Sequence, residues 1–166
     1  MTLSVHAIAG AGSAILLKNY PILALVAAFL SHFLLDSIPH WHYKILSKSH
    51  DSSLPFGMKL NLGLNFLKDI SRGSIDFCLG LIASVLISLF FFPDNLWIIL
   101  LGAFAGALPD FLQAIYYLLP NKLLFYFQKF HQGVHSIKKL DDEPVKGIFY
   151  QVAILVIIIL AIIIIG

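Results

Sequence analysis

Charge is what this sequence has least of. Asp, Glu, Lys and Arg make up 12% of its 166 residues, while 59% are hydrophobic. A water-soluble domain of this size devotes about a quarter of its residues to charge, so composition excludes a soluble globular fold. Cysteine is nearly absent. Cys78 stands alone inside an apolar run, which excludes a disulfide framework and a thiolate metal site and leaves it the reading of a small buried hydrophobe. The net charge is only +2, too little for nucleic-acid binding through bulk electrostatics, so no nucleic-acid partner is expected. No basic cluster precedes the opening apolar run, and His6 interrupts it; the segment reads as a mature helix rather than a cleavable signal.

What the chain does have is apolar runs approaching the ~18–20 residues that cross a hydrocarbon core, with a mean hydropathy of +0.89. The pattern predicts an all-α integral membrane protein, a single membrane domain over 1–166 with about five transmembrane helices. These are expected at about 2–17, 22–37, 74–92, 96–119 and 148–165. The first is rich in Ala7, Ala9, Gly10, Gly12, Ser13 and Ala14, which suits close packing against other helices. Pro21 and Pro93 are placed to open helices, and Gly102 and Gly106 form a GxxxG pair. An amphipathic helix is expected over about 121–140, its stripe Leu123, Phe127, Phe130, Val134 and Ile137 lying along the interface. The last span is almost wholly Ile, Val, Leu and Ala after Gln151 and reads as a lipid-facing anchor. Between 58 and 66, apolar and polar residues alternate, a period shared by a strand and an interfacial segment.

Ten of the eleven Lys and Arg residues fall in or beside 38–74 and 120–147, and only Lys18 lies in an opposite loop. The positive-inside rule makes those two segments cytoplasmic, with the N-terminus inside and the C-terminus outside. This places the protein in a plasma membrane, the inner membrane of a bacterium. A faint two-fold repeat of helix pairs is also visible: Ser4-Val5-His6 with Gly10 parallels Ser74-Ile75-Asp76 with Gly80, and Pro21 and Asp36 parallel Pro93 and Asp110.

In an up-down helix pair, the start of one helix meets the end of the next. His6, Asp36, Asp76 and Asp110 therefore share the cytoplasmic side, where the segments carrying His40, His42, His131 and His135 also emerge. Ionisable groups at such depth are costly unless paired, hydrated or metal-bound. His32 and Asp36 are i,i+4 neighbours, as are His131 and His135, so each pair aims at a common point. Imidazole with carboxylate is the ligand set of zinc, manganese or non-haem iron, and such an ion makes water a nucleophile at neutral pH. Asp76 is a candidate proton relay beside the ligands. Taken singly, each residue also has a structural reading: a satisfied core histidine, a hydrogen-bonded His–Asp pair, a carboxylate on a helix dipole. His50, Asp51 and Asp141-Asp142-Glu143 read as solvated loop, and Arg72 as an interfacial anchor or a phosphate ligand.

Three stretches carry a resemblance. They are Ser31-His32-Phe33-Leu34-Leu35-Asp36-Ser37-Ile38-Pro39, Gly106-Ala107-Leu108-Pro109-Asp110 and His131-Gln132-Gly133-Val134-His135-Ser136. With His6, they resemble the membrane-bound metal-dependent hydrolases, the YdjM-like, LexA-regulated inner-membrane family. That motif pattern is also similar to zinc-dependent phospholipase C. In this chain the stretches follow one another in an order exchanged relative to the family's, as exchanged pseudo-equivalent halves would give. The resemblance implies metal ligation by His6, His32, Asp36, Asp110, His131 and His135, with His40 a further candidate. It implies a divalent metal, zinc foremost, and a phosphoester of a membrane lipid as substrate. The readings to set against it are a metal or proton transporter, a structural membrane protein and a two-aspartate protease; the last lacks its Gly-x-Gly-Asp signature here, and HExxH is absent too.

Overall fold

The computed structural model describes residues 1–138 and 140–165. It is a bundle of six helices with one small hairpin: α1 (Leu3–Leu16), α2 (Pro21–Asp36), β1 (Lys48–His50), β2 (Met58–Leu60), α3 (Leu64–Phe91), α4 (Leu96–Leu118), α5 (Lys122–Val134) and α6 (Pro144–Ile165). Three stretches are long and apolar enough to cross a membrane: Leu64–Phe91, Pro93–Leu118 and Pro144–Ile165. The two N-terminal helices are shorter. At 1.5 Å per residue, α1 and α2 reach about 21 and 24 Å, less than a ~30 Å hydrocarbon core. Of the two, α1 is sheltered, packing against α2, α3, α4 and α6, while α2 leaves Ile22, Leu23, Val26, Leu30 and Leu34 exposed.

Small residues make α1 the centre. Gly10 faces Gly102 and Gly106 so closely that a Cβ on Gly10 would sit 2.8 Å from the Gly106 Cα. Gly80 of α3 does the same toward α1, where a Cβ would lie 2.7 Å from the Ser4 Cα. Contacts this close bring backbones together across membrane helices, and dispersion over the shared surface stabilises them. Ala7, Ala11, Ala14, Ala24, Ala28, Ala103 and Ala107 share the rest of that core with Ile15, Phe77, Ile98, Ile99 and Ile162.

Both helix pairs turn at the end away from the polar loops. There the Lys18 ammonium lies 5.5 Å from the Phe92 ring centroid, so the α1–α2 and α3–α4 turns are neighbours. The outer surface stays apolar, with Ile22, Phe90, Trp97, Phe149 and Ile164 exposed. The last helix behaves as an anchor: only Gly147, Gln151 and Ile162 of α6 are buried.

The structure moves several expected boundaries. The third helix begins at Leu64, ten residues before the apolar stretch does, so the alternation over 58–66 divides into strand β2 and the polar first turns of α3. Antiparallel pairing with β1 (Lys48 opposite Leu60, His50 opposite Met58) accounts for the strand part. The amphipathic helix stops at Val134 because His135 takes an extended conformation (φ −56°, ψ 139°) and Ser136 N–H donates to the Asp36 carbonyl at 2.8 Å. The last helix starts at Pro144, where a proline's missing N–H costs nothing. Cys78, expected in the core, is exposed on α3, the face turned from α1.

Candidate metal centre

Asp36 is the hub. It ends α2, is fully buried, and six nitrogens surround its carboxylate. Around Oδ1 stand the Met1 amine at 3.0 Å, His6 Nε2 at 3.2 Å and His40 Nε2 at 3.6 Å. Around Oδ2 stand His32 Nε2 and His131 Nε2, each at 3.2 Å, and His135 Nε2 at 3.0 Å. His32 Nε2 is also 3.1 Å from His131 Nε2 and 3.7 Å from Asp110 Oδ1. A carboxylate offers about four lone-pair sites, so six nitrogens are more than hydrogen bonding alone calls for.

The second ring nitrogens sharpen this. His32 Nδ1 lies 2.9 Å from the Gly106 carbonyl, and His40 Nδ1 lies 2.7 Å from the Ile38 carbonyl. A carbonyl only accepts, so Nδ1 carries the proton in both rings. In its neutral form, each imidazole then aims a bare Nε2 lone pair at a carboxylate. Two electron-rich atoms meeting at these distances repel unless a proton or a cation lies between them. An imidazole with Nδ1–H pinned to a backbone carbonyl and Nε2 free is the arrangement of a metal-ligating histidine. The spacing agrees as well. Ligands about 2.0–2.1 Å from one ion lie about 2.8–3.0 Å apart along the edges of an octahedron and about 3.3–3.4 Å along those of a tetrahedron.

Donor atoms fall into two groups that could each hold an ion: His32, Asp36, Asp110 and His131, and separately Asp36, His40 and His135. Within each group the atoms all lie within 4.8 Å of one another. His6 lies outside both groups. It stacks on His32 with ring centroids 3.8 Å apart, and both its buried ring nitrogens lack a hydrogen-bond partner among the described residues. Most of the centre is buried, while the Asp110 and His135 side chains are 23% and 27% exposed. Burial, followed by the nearby terminal ammonium, pushes the His40 imidazole down to about 4. It is therefore neutral at physiological pH and ready to act as a ligand.

Asp76 does a different job from its relatives on the other helices. Its Oδ2 accepts the Leu3 N–H at 2.6 Å, capping the first turn of α1 and thereby fixing where His6 stands. It belongs to neither donor group. Beside it, Tyr43 is pushed up to about 12 by burial and then by the Asp76 carboxylate, so its phenol stays protonated.

Sequence reasoning passed over Gln151. It is buried in α6, its Nε2 donates to the Trp41 carbonyl at 2.8 Å, and its Oε1 accepts from Thr2 N–H at 3.3 Å and Thr2 Oγ1 at 3.2 Å. One amide thus ties α6 to the segment carrying His40 and to the start of α1. The available signal was a single amide in an otherwise apolar span. His42 adds a further tie, its Nδ1 2.7 Å from Asp141 Oδ1. Compared with family models, curated proteins and solved structures, the chain matches none, and the functional reading rests on this geometry.

Proposed function

We propose that the protein is a membrane-embedded, metal-dependent hydrolase that acts at the cytoplasmic face on a phosphoester of a lipid or membrane-associated substrate. The observation that carries the metal is the convergence of His32 and His40 Nε2 lone pairs on Asp36, each ring fixed from behind by a carbonyl. Zinc suits a mixed imidazole–carboxylate set; manganese and iron also bind one. Once bound, the ion lowers the pKa of a coordinated water and polarises an ester oxygen.

The chain's own residues do the rest. Asp36 and Asp110 supply the anionic donors, and the buried imidazoles hold them apart. Asp76 and Gln151 fix α1 and the 37–47 segment around them. The partly exposed Asp110 and His135 are the ligands that a substrate would reach first. Leu34, Phe130 and Ile137 are exposed on the neighbouring helices and segment, as acyl chains would require, and Lys and Arg in 38–74 and 120–147 suit an anionic headgroup. We read α1, sheltered within the bundle, and α2, apolar on its outer face, as a fourth and fifth crossing, with the site end facing the cytoplasm by the charge rule.

A transporter needs polar groups along a path to the far face. Among the described residues, the buried polar side chains in that direction are Ser84 and Ser88, and both hydroxyls bond to carbonyls of their own helix or its end (Gly80 at 2.8 Å, Phe92 at 3.1 Å). This favours hydrolysis over transport. The test is hydrolysis of phosphoester lipids in mixed micelles by the purified protein, with and without chelator, beside Asp110→Asn. Metal-dependent release of product that is lost in Asp110→Asn supports the proposal; metal bound without turnover of any phosphoester, or metal flux across proteoliposomes, overturns it.

A further inference from the structure

The two donor groups share one residue, and the sharing has a definite geometry. Asp36 belongs to both the His32–Asp110–His131 group and the His40–His135 group. Its two oxygens face different imidazoles: Oδ2 faces His32 and His131 at 3.2 Å, while Oδ1 faces His40 at 3.6 Å. His135 approaches Oδ2 at 3.0 Å, its ring centroid 5.5 Å from that of His40. Each group also contains one histidine whose Nδ1 is pinned to a backbone carbonyl, His32 in the first and His40 in the second. A single ion would leave one of those pinned imidazoles to meet the carboxylate through a proton, as a buried imidazolium, where a second ion would use the same lone pair.

We infer that the centre is dinuclear, with Asp36 as a bridging carboxylate: one divalent cation held by His32, Asp110, His131 and Asp36, the second by His40, His135 and Asp36. The inference rests on the metal reading above and deepens it. Carboxylate-bridged ions stand about 3.5–4 Å apart, the spacing of two-metal phosphoryl sites. The charge supports the same substrate class. Two divalent cations against the carboxylates of Asp36 and Asp110, with neutral imidazoles as the other donors, leave the centre positive, and the terminal ammonium 3.0 Å from Asp36 Oδ1 adds to that charge. An anionic phosphoester binding across both ions offsets it. The second ion has fewer protein donors and lies toward the exposed His135, so it is the more weakly held and the one nearer incoming substrate.

The test uses the full chain in detergent micelles, loaded with Mn(II) alone and freed of excess metal. Metal content and electron paramagnetic resonance are then read for the wild type, His135→Ala, the His40→Ala/His135→Ala double variant and Asp36→Ala. Two ions per chain with an exchange-coupled spectrum are expected for the wild type. His135→Ala and the double variant should fall to one ion with an isolated six-line spectrum, and Asp36→Ala should hold neither tightly. His135→Ala is the safeguard if the double variant does not fold, since its side chain is partly exposed. One ion per chain in the wild type overturns the dinuclear assignment and leaves the metal reading standing. No ion at all removes both. Two ions retained by folded His135→Ala, or both lost from it, also overturns the assignment of separate ligand sets.

Discussion

Gly106→Ala adds one methyl group where the structure has no room for it, and its consequences can be worked through. A Cβ on Gly106 would sit 2.8 Å from Gly10 Cα and 3.1 Å from Gly10 N, with the His6 carbonyl closer still. Carbon contacts relax to about 3.5–4.0 Å, so α1 and α4 must part by more than about half an ångström, and no side chain can swing aside because the obstacles are backbone. Overpacking of this kind costs about 1–3 kcal/mol. The centre should suffer more than the fold. His6 rides on α1, and the Gly106 carbonyl itself holds His32 Nδ1 at 2.9 Å. Metal–ligand distances tolerate only about 0.2 Å, and a disturbed outer-shell hydrogen bond costs about 10–100-fold in affinity. The assay is a metal titration and a thermal unfolding curve on the same detergent preparation. Gly133→Ala is the control: Gly133 lies between His131 and His135, yet a Cβ there meets nothing within 4 Å. Its metal affinity should stay within about twofold, the ±0.5 kcal/mol of an unconstrained substitution, and Ala should suit α5 better than Gly. Wild-type metal affinity in Gly106→Ala, or an equal loss in Gly133→Ala, would refute the reasoning.

Gln151→Leu removes the amide that joins α6 to Trp41 and Thr2. Interhelical hydrogen bonds in membranes contribute about 0.6 kcal/mol each, so a loss of about 1–2 kcal/mol in unfolding free energy is expected, with weaker metal binding; an unchanged melting curve would contradict it. Stripping the metal with chelator should lower the unfolding temperature, and restoring it at 100 times its dissociation constant should return about 2.7 kcal/mol per site; identical curves with and without metal would rule out a site coupled to folding. Acidification should release metal, because a proton and the ion compete for the same Nε2 lone pair; at His40, held down to about 4, that competition sets in only as the pH nears this value. Occupancy after equilibrium dialysis should therefore fall between pH 7 and pH 4, and occupancy that rises instead would exclude imidazole ligation.

Much of this was legible in the sequence, and the reason is that membrane helices leave short-range signatures. His32 and Asp36, four residues apart on one helix, do meet, and the glycine pair at Gly102 and Gly106 does admit a partner backbone. The up-down rule placed His6, Asp36, Asp110, His131 and His135 at one end, because helix count alone decides which termini are neighbours. The rule could not say which way a side chain turns within its turn of helix. His6 and Asp76 occupy matching places near the starts of their helices, yet one faces the hub and the other caps α1. The difference lies in where the α1 N-terminus falls against α3. α1 seats at Gly80, so the Leu3 N–H arrives one turn before it, beside Asp76. The extended backbone at His135 was equally hidden, since its cause is a carbonyl 100 residues earlier, at Asp36, accepting the Ser136 N–H. What local pattern cannot supply is the partner that a backbone group finds across the bundle. At this centre those partners, Gly106 and Ile38 behind the rings and Asp36 beneath them, decide which lone pairs are left for a metal.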